Sequence, residues 1–287
     1  MTTRAAVLGW PISHSRSPLI HGSWIKEHHL DASYEPIAVD PNGAKDWFTR
    51  FGEHDLAGAN VTIPHKETAL AACDHVADHA ARLGAVNTLW LQDGALQGTS
   101  TDGEGFMANL AQQAPNWFGH PNAHTALILG AGGAARAIVD ALLVAGVERI
   151  ILLNRSVERA EGLAKHFAIH FGAGRVVPGP LSDFDDMAGA AGLLVNTTAL
   201  GMAGQPPLHV AIEALPDGAT VSDIVYTPLQ TDLLAKAQAR EHPTVDGLGM
   251  LLHQAVPGFE RWFGVRPTIT PALRQLIIDD LAVKTIA

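Results

Sequence analysis

The sequence predicts an α/β protein of two domains, the first of them built on a mostly parallel sheet. Short apolar runs alternate with longer stretches of helical period through most of the chain, which is the pattern of strands covered by helices. A glycine-rich turn at residues 130–133 follows one apolar run and opens an alanine-rich segment. With 287 residues, 47% of them hydrophobic, the chain has enough material for two such domains.

The N-terminal block alternates strand-like and helix-like segments. Asp93-Gly94 lies between two apolar runs and predicts a tight hairpin turn, because this pair accepts left-handed backbone conformations. The predicted strands cover residues 4–9, 33–38, 58–62, 85–91 and 95–99, and the predicted helices cover residues 17–29, 44–51 and 66–72.

The second block begins near Asn122 and ends in helical segments. A helix from residue 246 is expected to kink or end at Pro257, and the final helix is expected near residues 271–282. By analogy with chains that carry a mid-chain insertion, residues 1–103 and 246–287 form one domain, and residues 104–245 form a Rossmann-type domain. The segments within 104–245 are predicted strands at 125–129, 149–153, 193–195 and 220–224, helices at 133–145, 157–167 and 229–240, and loops at 172–181 and 201–207.

Charge and composition narrow the classes of partner. The chain has 19 Lys+Arg and 29 Asp+Glu, a formal net charge of −10, which argues against nucleic acid or an anionic membrane as the main partner. No apolar run reaches the ~20 residues of a membrane span, and Gly9 and Pro11 interrupt the N-terminal apolar run too early for a signal peptide. The single cysteine, Cys73, excludes an intrachain disulfide and favours the cytoplasm. A monomer and a homodimer are both compatible with these features.

The glycine-rich turn has the form G-x-G-x-x-A of a dinucleotide site. Gly130 suits the tight turn, Gly132 suits close approach of a pyrophosphate, and Ala135 suits close packing of helix on strand. The following helix N-terminus offers free N–H groups to the phosphates. The loop is completed by Ala131, Gly133 and Ala134.

The next predicted strand ends in Asn154-Arg155-Ser156, with Arg159 one helical turn farther on. An NAD site usually has Asp or Glu here to bind the ribose 2′-hydroxyl, whereas guanidinium groups suit a 2′-phosphate. The sequence therefore favours NADP(H) as the cofactor. The alternative is that both arginines belong to a solvated helix edge.

Three further segments carry polar residues next to predicted strands. Ser15 and Ser17 lie beside a helix N-terminus, where hydroxyls suit a carboxylate, although Ser17 is also explained as an N-cap before a proline. Thr62 and Lys66 lie at the carboxyl end of a predicted strand, and a first-turn lysine opposes the helix dipole. Asp102 follows another strand and is alternatively explained as the N-cap of a helix at 103–113.

These segments together resemble the shikimate dehydrogenase family. The resemblance covers nearly the whole chain, and several of its motifs are specific to the family. The matching segments, in order, are residues 9–18, 60–66, 85–88, 101–103, the loop from 130, 154–156, 196–202, 223–229 and 246–255.

The resemblance implies reversible reduction of 3-dehydroshikimate to shikimate with NADPH, and it implies site residues at the matching positions. Lys66 and Asp102 would form the catalytic pair. An ammonium at Lys66 would stabilise the developing alkoxide and donate a proton. By motif, the substrate-binding residues would be Ser15, Ser17, Thr62, Asn87, Tyr226 and Gln254, and the cofactor-binding residues would include Asn154, Ser156, Thr197, Met202, Gly247 and Met250.

Two positions depart from the family pattern. Ser100 stands where the family usually has Asn, which puts the local loop or substrate preference in question, and Gly22 stands where Asn is frequent, which puts helix packing in question. The i, i+4 histidine pairs at 75/79 and 166/170 lack third and fourth ligands in the sequence, so no metal site is predicted.

Three alternative functions stay open at this point. A quinate/shikimate dehydrogenase with relaxed substrate or cofactor choice would have the same motifs. A methylenetetrahydrofolate dehydrogenase has a similar build, but the serine turn and the segment around Gln254 count against it. A nucleotide-binding sensor without turnover would have no need of Lys66 and Asp102 as a proton-transfer pair.

Overall fold

The computed structural model describes residues 2–286, with side chains as far as residue 282, and the chain divides into two compact units. The first unit comprises Met1–Thr101 and Leu252–Ala287, and the second comprises Asp102–Leu251. The predicted functional domains, 1–103 with 246–287 and 104–245, have boundaries a few residues from these, and their assignment stays a prediction.

Strands and helices alternate along most of the chain, as predicted. The strands are β1 (Thr3–Gly9), β2 (Ala32–Ala38), β3 (Gly58–Val61), β4 (His75–Val76), β5 (Thr88–Gln92), β6 (Ala95–Thr99), β7 (Thr125–Leu129), β8 (Arg149–Asn154), β9 (Val176–Pro180), β10 (Leu193–Asn196), β11 (Thr220–Asp223) and β12 (Thr244–Val245). The helices are α1 (Ser17–Glu27), α2 (Ala44–Thr49), α3 (Lys66–Ala72), α4 (Asp78–Leu83), α5 (Asp102–Gln113), α6 (Gly133–Val144), α7 (Val157–Phe171), α8 (Phe184–Met187), α9 (Asp232–Ala239), α10 (Gly247–His253), α11 (Val256–Phe263) and α12 (Pro271–Ile286).

The sheet of the first unit has the strand order β2-β1-β3-β5-β6-β4. β1 pairs in parallel with β2 and β3, whereas β5 is antiparallel to both β3 and β6. The predicted hairpin turn between β5 and β6 is confirmed, because Asp93 and Gly94 have φ values of 54° and 81°. Consequently the carboxyl ends of β1 and β3 and the amino end of β5 lie at the same edge of the sheet.

The sheet of the second unit is parallel throughout, in the order β12-β11-β10-β7-β8-β9. Alternate residues of β7 enter two different cores, with Ala126 and Ile128 in one and Leu127 and Leu129 in the other. Helices therefore cover both faces, as expected of parallel sheets. The strand order reverses between β7 and β10, which is where sheets of this type bind ligands. The predicted Rossmann-type unit is confirmed.

Some predicted boundaries were wrong. Residues 172–181 were predicted as a loop, but they contain β9, whose Pro178 and Pro180 are tolerated because β9 is an edge strand. β5 begins at Thr88 rather than at residue 85. The prediction at Pro257 is confirmed, since α10 ends before it and α11 starts with proline in its first turn. Among the described residues, no helix is long and apolar enough to cross a membrane.

Candidate active site

The turn between β1 and α1 carries the two serines predicted to bind a carboxylate. The Ser17 N–H donates to Ser15 Oγ at 3.2 Å, and the Ser15 N–H donates to the Ile12 carbonyl at 3.0 Å. Because Ser15 Oγ accepts this bond, its own proton is available to another acceptor. The N-cap of α1 is Arg16, without a side-chain capping bond, so the alternative reading of Ser17 as the N-cap was wrong. Ser17 is the first helical residue and is only 7% exposed.

The Arg16 side chain forms an ion pair with Asp280. Its Nε lies 2.6 Å from Asp280 Oδ2 on α12, and the two side chains are only 11% and 27% exposed. Its Nη1 also donates to the His14 carbonyl at 2.8 Å. The ion pair therefore ties the serine turn to α12.

The backbone around Lys66 is held by buried hydrogen bonds. Thr62 N–H donates to the Leu8 carbonyl at 2.9 Å, and Val86 N–H donates to the Lys66 carbonyl at 3.1 Å. The buried His65 ring donates from Nε2 to the Val39 carbonyl at 2.7 Å. These bonds fix Thr62 and the start of α3, where Lys66 is the first residue, at the carboxyl end of β3. His65 was not predicted, although its place next to Lys66 was visible in the sequence.

Asn87 and Gln254 meet at one threonine of the same unit. Thr101 N–H donates to Asn87 Oδ1 at 2.9 Å, and Asn87 Nδ2 donates to Thr101 Oγ1 at 3.1 Å. Thr101 Oγ1 in turn donates to the Gln254 carbonyl at 2.8 Å. Asn87 is 3% exposed and Thr101 1%. The structure thus brings two predicted substrate residues together through Thr101, which the sequence analysis did not select.

Behind the serine turn lies a buried polar chain that sequence reasoning missed. Tyr34 donates to Asn60 Oδ1 at 2.6 Å, and Asn60 Nδ2 donates to Thr88 Oγ1 at 3.3 Å. Burial raises the pKa of Tyr34 well above its ordinary value, and a hydrogen bond with Ser17 opposes that shift. The chain therefore runs from the serine turn toward Asn87, whose Oδ1 accepts from Thr88 Oγ1 at 2.8 Å.

His21 lies beside this chain, fully buried on α1. Its ring stacks on Tyr34 with centroids 3.9 Å apart and meets Trp24 edge-on at 5.6 Å. Neither ring nitrogen has a hydrogen-bond partner of normal geometry among the described residues. Burial lowers the pKa of His21 to about 3, and the nearby Asn60 side chain opposes the shift. The imidazole is therefore neutral at physiological pH.

Asp102 and Tyr226 belong to the second unit. Asp102 is the first residue of α5, so it lies within the helix rather than before it. Tyr226 follows β11 in a segment held by Asp223, which accepts from Val225 N–H at 3.0 Å and from Thr231 Oγ1 at 2.7 Å. Burial raises the pKa of Asp223, and these hydrogen bonds oppose the shift. Asp223 stood in a matching motif without a predicted role, and it fixes the segment that carries Tyr226.

The glycine loop has the geometry of a phosphate site. Gly130 has φ +103°, and a Cβ there would lie 2.7 Å from Thr197 Oγ1, so the position requires glycine. A Cβ on Gly132 or Gly133 would meet nothing within 4 Å, which leaves open space above the α6 N-terminus. That N-terminus has no side-chain capping bond. Open space at a helix N-terminus, whose first N–H groups have no partner within the helix, fits a pyrophosphate. Ala131 and Ala134 complete the loop.

Thr197 lies at the point where the strand order reverses. It follows β10, and both its N–H and its Oγ1 bond to the Leu129 carbonyl, at 2.8 and 2.7 Å. The glycine loop after β7 and Thr197 are thereby brought together. Met202 lies farther along the same loop and is 37% exposed.

The end of β8 presents two cations. Arg155 and Arg159 are exposed, and neither guanidinium pairs with a side chain of the residues that the structure describes. Asn154 Nδ2 donates to the Ser156 carbonyl at 2.7 Å and so orders the turn. Ser156 Oγ donates to Glu158 Oε2 at 2.7 Å, and this bond lowers the pKa of Glu158. The two arginines fit a 2′-phosphate; Glu158, which was not predicted to matter, adds an anion beside them.

The other two residues predicted to bind the cofactor, Gly247 and Met250, have packing roles in the structure. Gly247 opens α10, and a Cβ there would collide with the Ile224 carbonyl. Met250 is partly buried and packs against the core formed by α5, α6 and α7. The structure gives both residues a structural role, and their contact with a cofactor stays a prediction.

The two departures from the family pattern have different surroundings. Gly22 lies in an unbroken α1, where a Cβ would meet nothing within 4 Å, so its lack of a side chain does not disturb packing. The Ser100 carbonyl accepts from His79 Nε2 at 2.9 Å, and Ser100 is 7% exposed. No cluster of three or more metal-ligating side chains occurs within residues 2–286 as described.

Family models and known relatives match most of this chain. The family model of the shikimate dehydrogenase substrate binding domain matches residues 7–89, that of shikimate / quinate 5-dehydrogenase matches 110–199, and that of the shikimate 5′-dehydrogenase C-terminal domain matches 247–277. The NADP(+) shikimate dehydrogenase of Rhodopseudomonas palustris is 52% identical over 285 residues, which cover 99% of each chain. The chain belongs to the shikimate dehydrogenase family.

Solved structures of this family have the same fold. Shikimate 5-dehydrogenase from Thermus thermophilus, in complex with NADP(H) and shikimate, has a TM-score of 0.81 and 35% identity, and the match covers 99% of this chain and 100% of that one. Quinate dehydrogenase from Corynebacterium glutamicum, in complex with NAD, has a TM-score of 0.86 and 28% identity, with coverage of 97% and 99%. The fold is therefore common to family members of different substrate and cofactor.

Proposed function

We propose that this chain catalyses the reversible, NADPH-dependent reduction of 3-dehydroshikimate to shikimate. The observation that carries the proposal is the grouping of polar residues at one edge of the first sheet. The serine turn follows β1, Lys66 follows β3, and Asn87 precedes the antiparallel β5, so all three reach the same edge. Hydroxyls, an ammonium and an amide suit a carboxylate, a reacting oxygen and ring hydroxyls.

In this proposal the serine turn binds the substrate carboxylate. Ser15 has a proton to donate, since its oxygen already accepts from the Ser17 N–H. Arg16 is occupied by Asp280, so the carboxylate is bound by hydroxyls rather than by a guanidinium. Tyr226 is also proposed to lie near the carboxylate. Thr62, Asn87 and Gln254 are proposed to hold the ring hydroxyls and the reacting oxygen.

Lys66 and Asp102 are the proposed catalytic pair. Bound NADPH supplies a hydride to the carbonyl carbon, and the carbonyl oxygen then needs a proton. The Lys66 ammonium stabilises the developing negative charge and donates that proton. Asp102 is proposed as its partner because it matches the second catalytic position of the family motif. In the reverse direction, Lys66 accepts the proton from the substrate hydroxyl.

The second unit is proposed to bind NADP(H). The pyrophosphate would lie over Gly132 at the α6 N-terminus, and the 2′-phosphate would lie between Arg155 and Arg159. Residues 1–103 and 246–287 would form the substrate domain and residues 104–245 the cofactor domain. We also propose that the protein is a monomer or a homodimer. We propose a cytoplasmic location because a lone cysteine suits a reducing compartment.

The alternative substrate is quinate, with relaxed cofactor choice. Two relatives that are 50% and 52% identical to this chain are NADP(+) shikimate dehydrogenases, whereas the quinate dehydrogenase from Corynebacterium glutamicum is only 28% identical to it. This difference favours shikimate.

Cofactor absorbance with shikimate or quinate and NADP⁺ or NAD⁺ tests the proposal. We expect turnover with shikimate and NADP⁺; turnover with quinate and NAD⁺ instead would support the alternative. The Lys66→Ala variant should lose at least about tenfold in kcat/KM, or about 1.4 kcal/mol of transition-state stabilisation. A smaller loss would exclude Lys66 as the proton donor.

A further inference from the structure

An acidic residue stands between two arginines in the sequence that follows β8. Glu158 is in the first turn of α7, and Arg155 and Arg159 flank it in the chain. All three side chains are exposed. The carboxylate bonds to Ser156 Oγ at 2.7 Å, whereas neither arginine pairs with a carboxylate of the described residues. The Glu158 charge is therefore not neutralised by these neighbouring cations.

We infer that Glu158 is a specificity-determining residue, which weakens binding of the ribose 2′-phosphate and narrows the preference for NADP(H) over NAD(H). The inference rests on the proposed function, because it takes the end of β8 as the 2′-phosphate site. Arg155 and Arg159 draw the 2′-phosphate in, and Glu158 limits that attraction.

Two effects of Glu158 act in the same direction. Its carboxylate is ionised at neutral pH, because the Ser156 hydroxyl and the backbone hold its pKa below the usual value, so it repels a phosphate dianion. It also accepts the only proton that the Ser156 hydroxyl can donate. A 2′-phosphate bound at the end of β8 then lacks the Ser156 hydroxyl as a donor. NADH carries no 2′-phosphate, so neither effect applies to it.

A purely structural role for Glu158 makes a different prediction. An acidic residue in the first turn stabilises a helix through its dipole, so its loss would lower the stability of α7. Such a loss would weaken binding of both cofactors or leave it unchanged. Our inference predicts a gain, and only for NADPH.

Equilibrium titration of cofactor fluorescence at low ionic strength tests this difference. In Glu158→Gln the side chain still accepts the Ser156 proton but has no charge, and we expect the Kd for NADPH to fall about threefold. Glu158→Ala also releases Ser156, so its Kd for NADPH should fall further. The Kd for NADH should be unchanged in both. Glu161→Gln, an exposed acid farther along α7, is the matched control and should change neither Kd.

A second comparison isolates the hydroxyl. Ser156→Ala should change the NADPH Kd little in the wild-type background but should raise it in the Glu158→Ala background. If both Glu158 variants keep the wild-type ratio of NADPH to NADH affinity, the inference is wrong and the proposed function stands. If the wild-type protein binds neither cofactor, the proposed function fails and the inference with it.

Discussion

Lowering the pH should destabilise the first unit through His21. The imidazole is fully buried among aromatic rings, and burial lowers its pKa from about 6.5 to about 3. Between these two values the unfolded chain binds a proton that the folded chain does not, so the free energy of unfolding decreases as pH falls. The contribution of His21 to the free energy of unfolding is therefore fully present above about pH 6.5 and decreases progressively as the pH falls toward about 3.

The magnitude follows from the size of the pKa change. Each pKa unit corresponds to about 1.4 kcal/mol, so a change from about pH 7 to about pH 5 should remove about 2 kcal/mol through His21 alone. Urea unfolding followed by tryptophan fluorescence measures this loss, and Trp24 and Trp262 lie next to the ring as reporters. Carboxylates and other histidines add their own pH dependence, so the comparison must be made between variants.

His21→Phe supplies that comparison. A phenyl ring retains the stacking on Tyr34 and removes two nitrogens that have no hydrogen-bond partner of normal geometry among the described residues, so the variant should fold. From about pH 7 to about pH 5, the free energy of unfolding of the variant should decrease by about 2 kcal/mol less than that of the wild type. His170→Gln, at an exposed site, should retain the wild-type slope. Equal slopes for His21→Phe and wild type would refute the reasoning.

Three other perturbations follow from the site. Tyr34→Phe leaves Asn60 Oδ1, in a side chain only 5% exposed, without its donor, so urea unfolding should show a loss of about 1–3 kcal/mol. Gly130→Ala forces a side chain to φ +103°, so NADPH binding measured by fluorescence should weaken by about 1–3 kcal/mol; unchanged affinity would show that the loop adjusts. Asp280→Asn weakens the ion pair that ties the serine turn to α12, so the KM for shikimate should rise up to about tenfold while kcat changes less. An equal fall in kcat would argue against a role of the serine turn in substrate binding.

The sequence predicted elements well where one local rule dominated. Asp93-Gly94 predicted its hairpin because few residue pairs accept two left-handed conformations in succession, and the glycine loop after β7 was predicted for the same reason at Gly130. β9 was missed because Pro178 and Pro180 usually exclude a strand. Only the sheet order shows that β9 is at an edge, where the missing N–H groups do no harm.

The sequence indicated which residues the candidate site contains, but not which other residues their side chains contact. Ser15, Lys66 and Asn87 were selected from motifs, yet nothing local indicated that Arg16 would pair with Asp280 more than 260 residues away in the chain. The hydrogen bond from Tyr34 to Asn60 likewise joins separate segments, β2 and β3. Such contacts depend on the strand order, which a motif does not contain.

The division of the chain into units has a consequence for synthesis on the ribosome. The second unit, Asp102–Leu251, is continuous, whereas the first joins Met1–Thr101 to Leu252–Ala287. Translation therefore delivers every residue of the glycine loop and its sheet before it delivers Asp280, the partner of Arg16. A nascent chain halted after residue 251 would contain everything needed for the cofactor loop but would lack α11 and α12, so its serine turn would have no anchor. Competence to bind dinucleotide should thus precede competence to bind the hydroxy acid during translation.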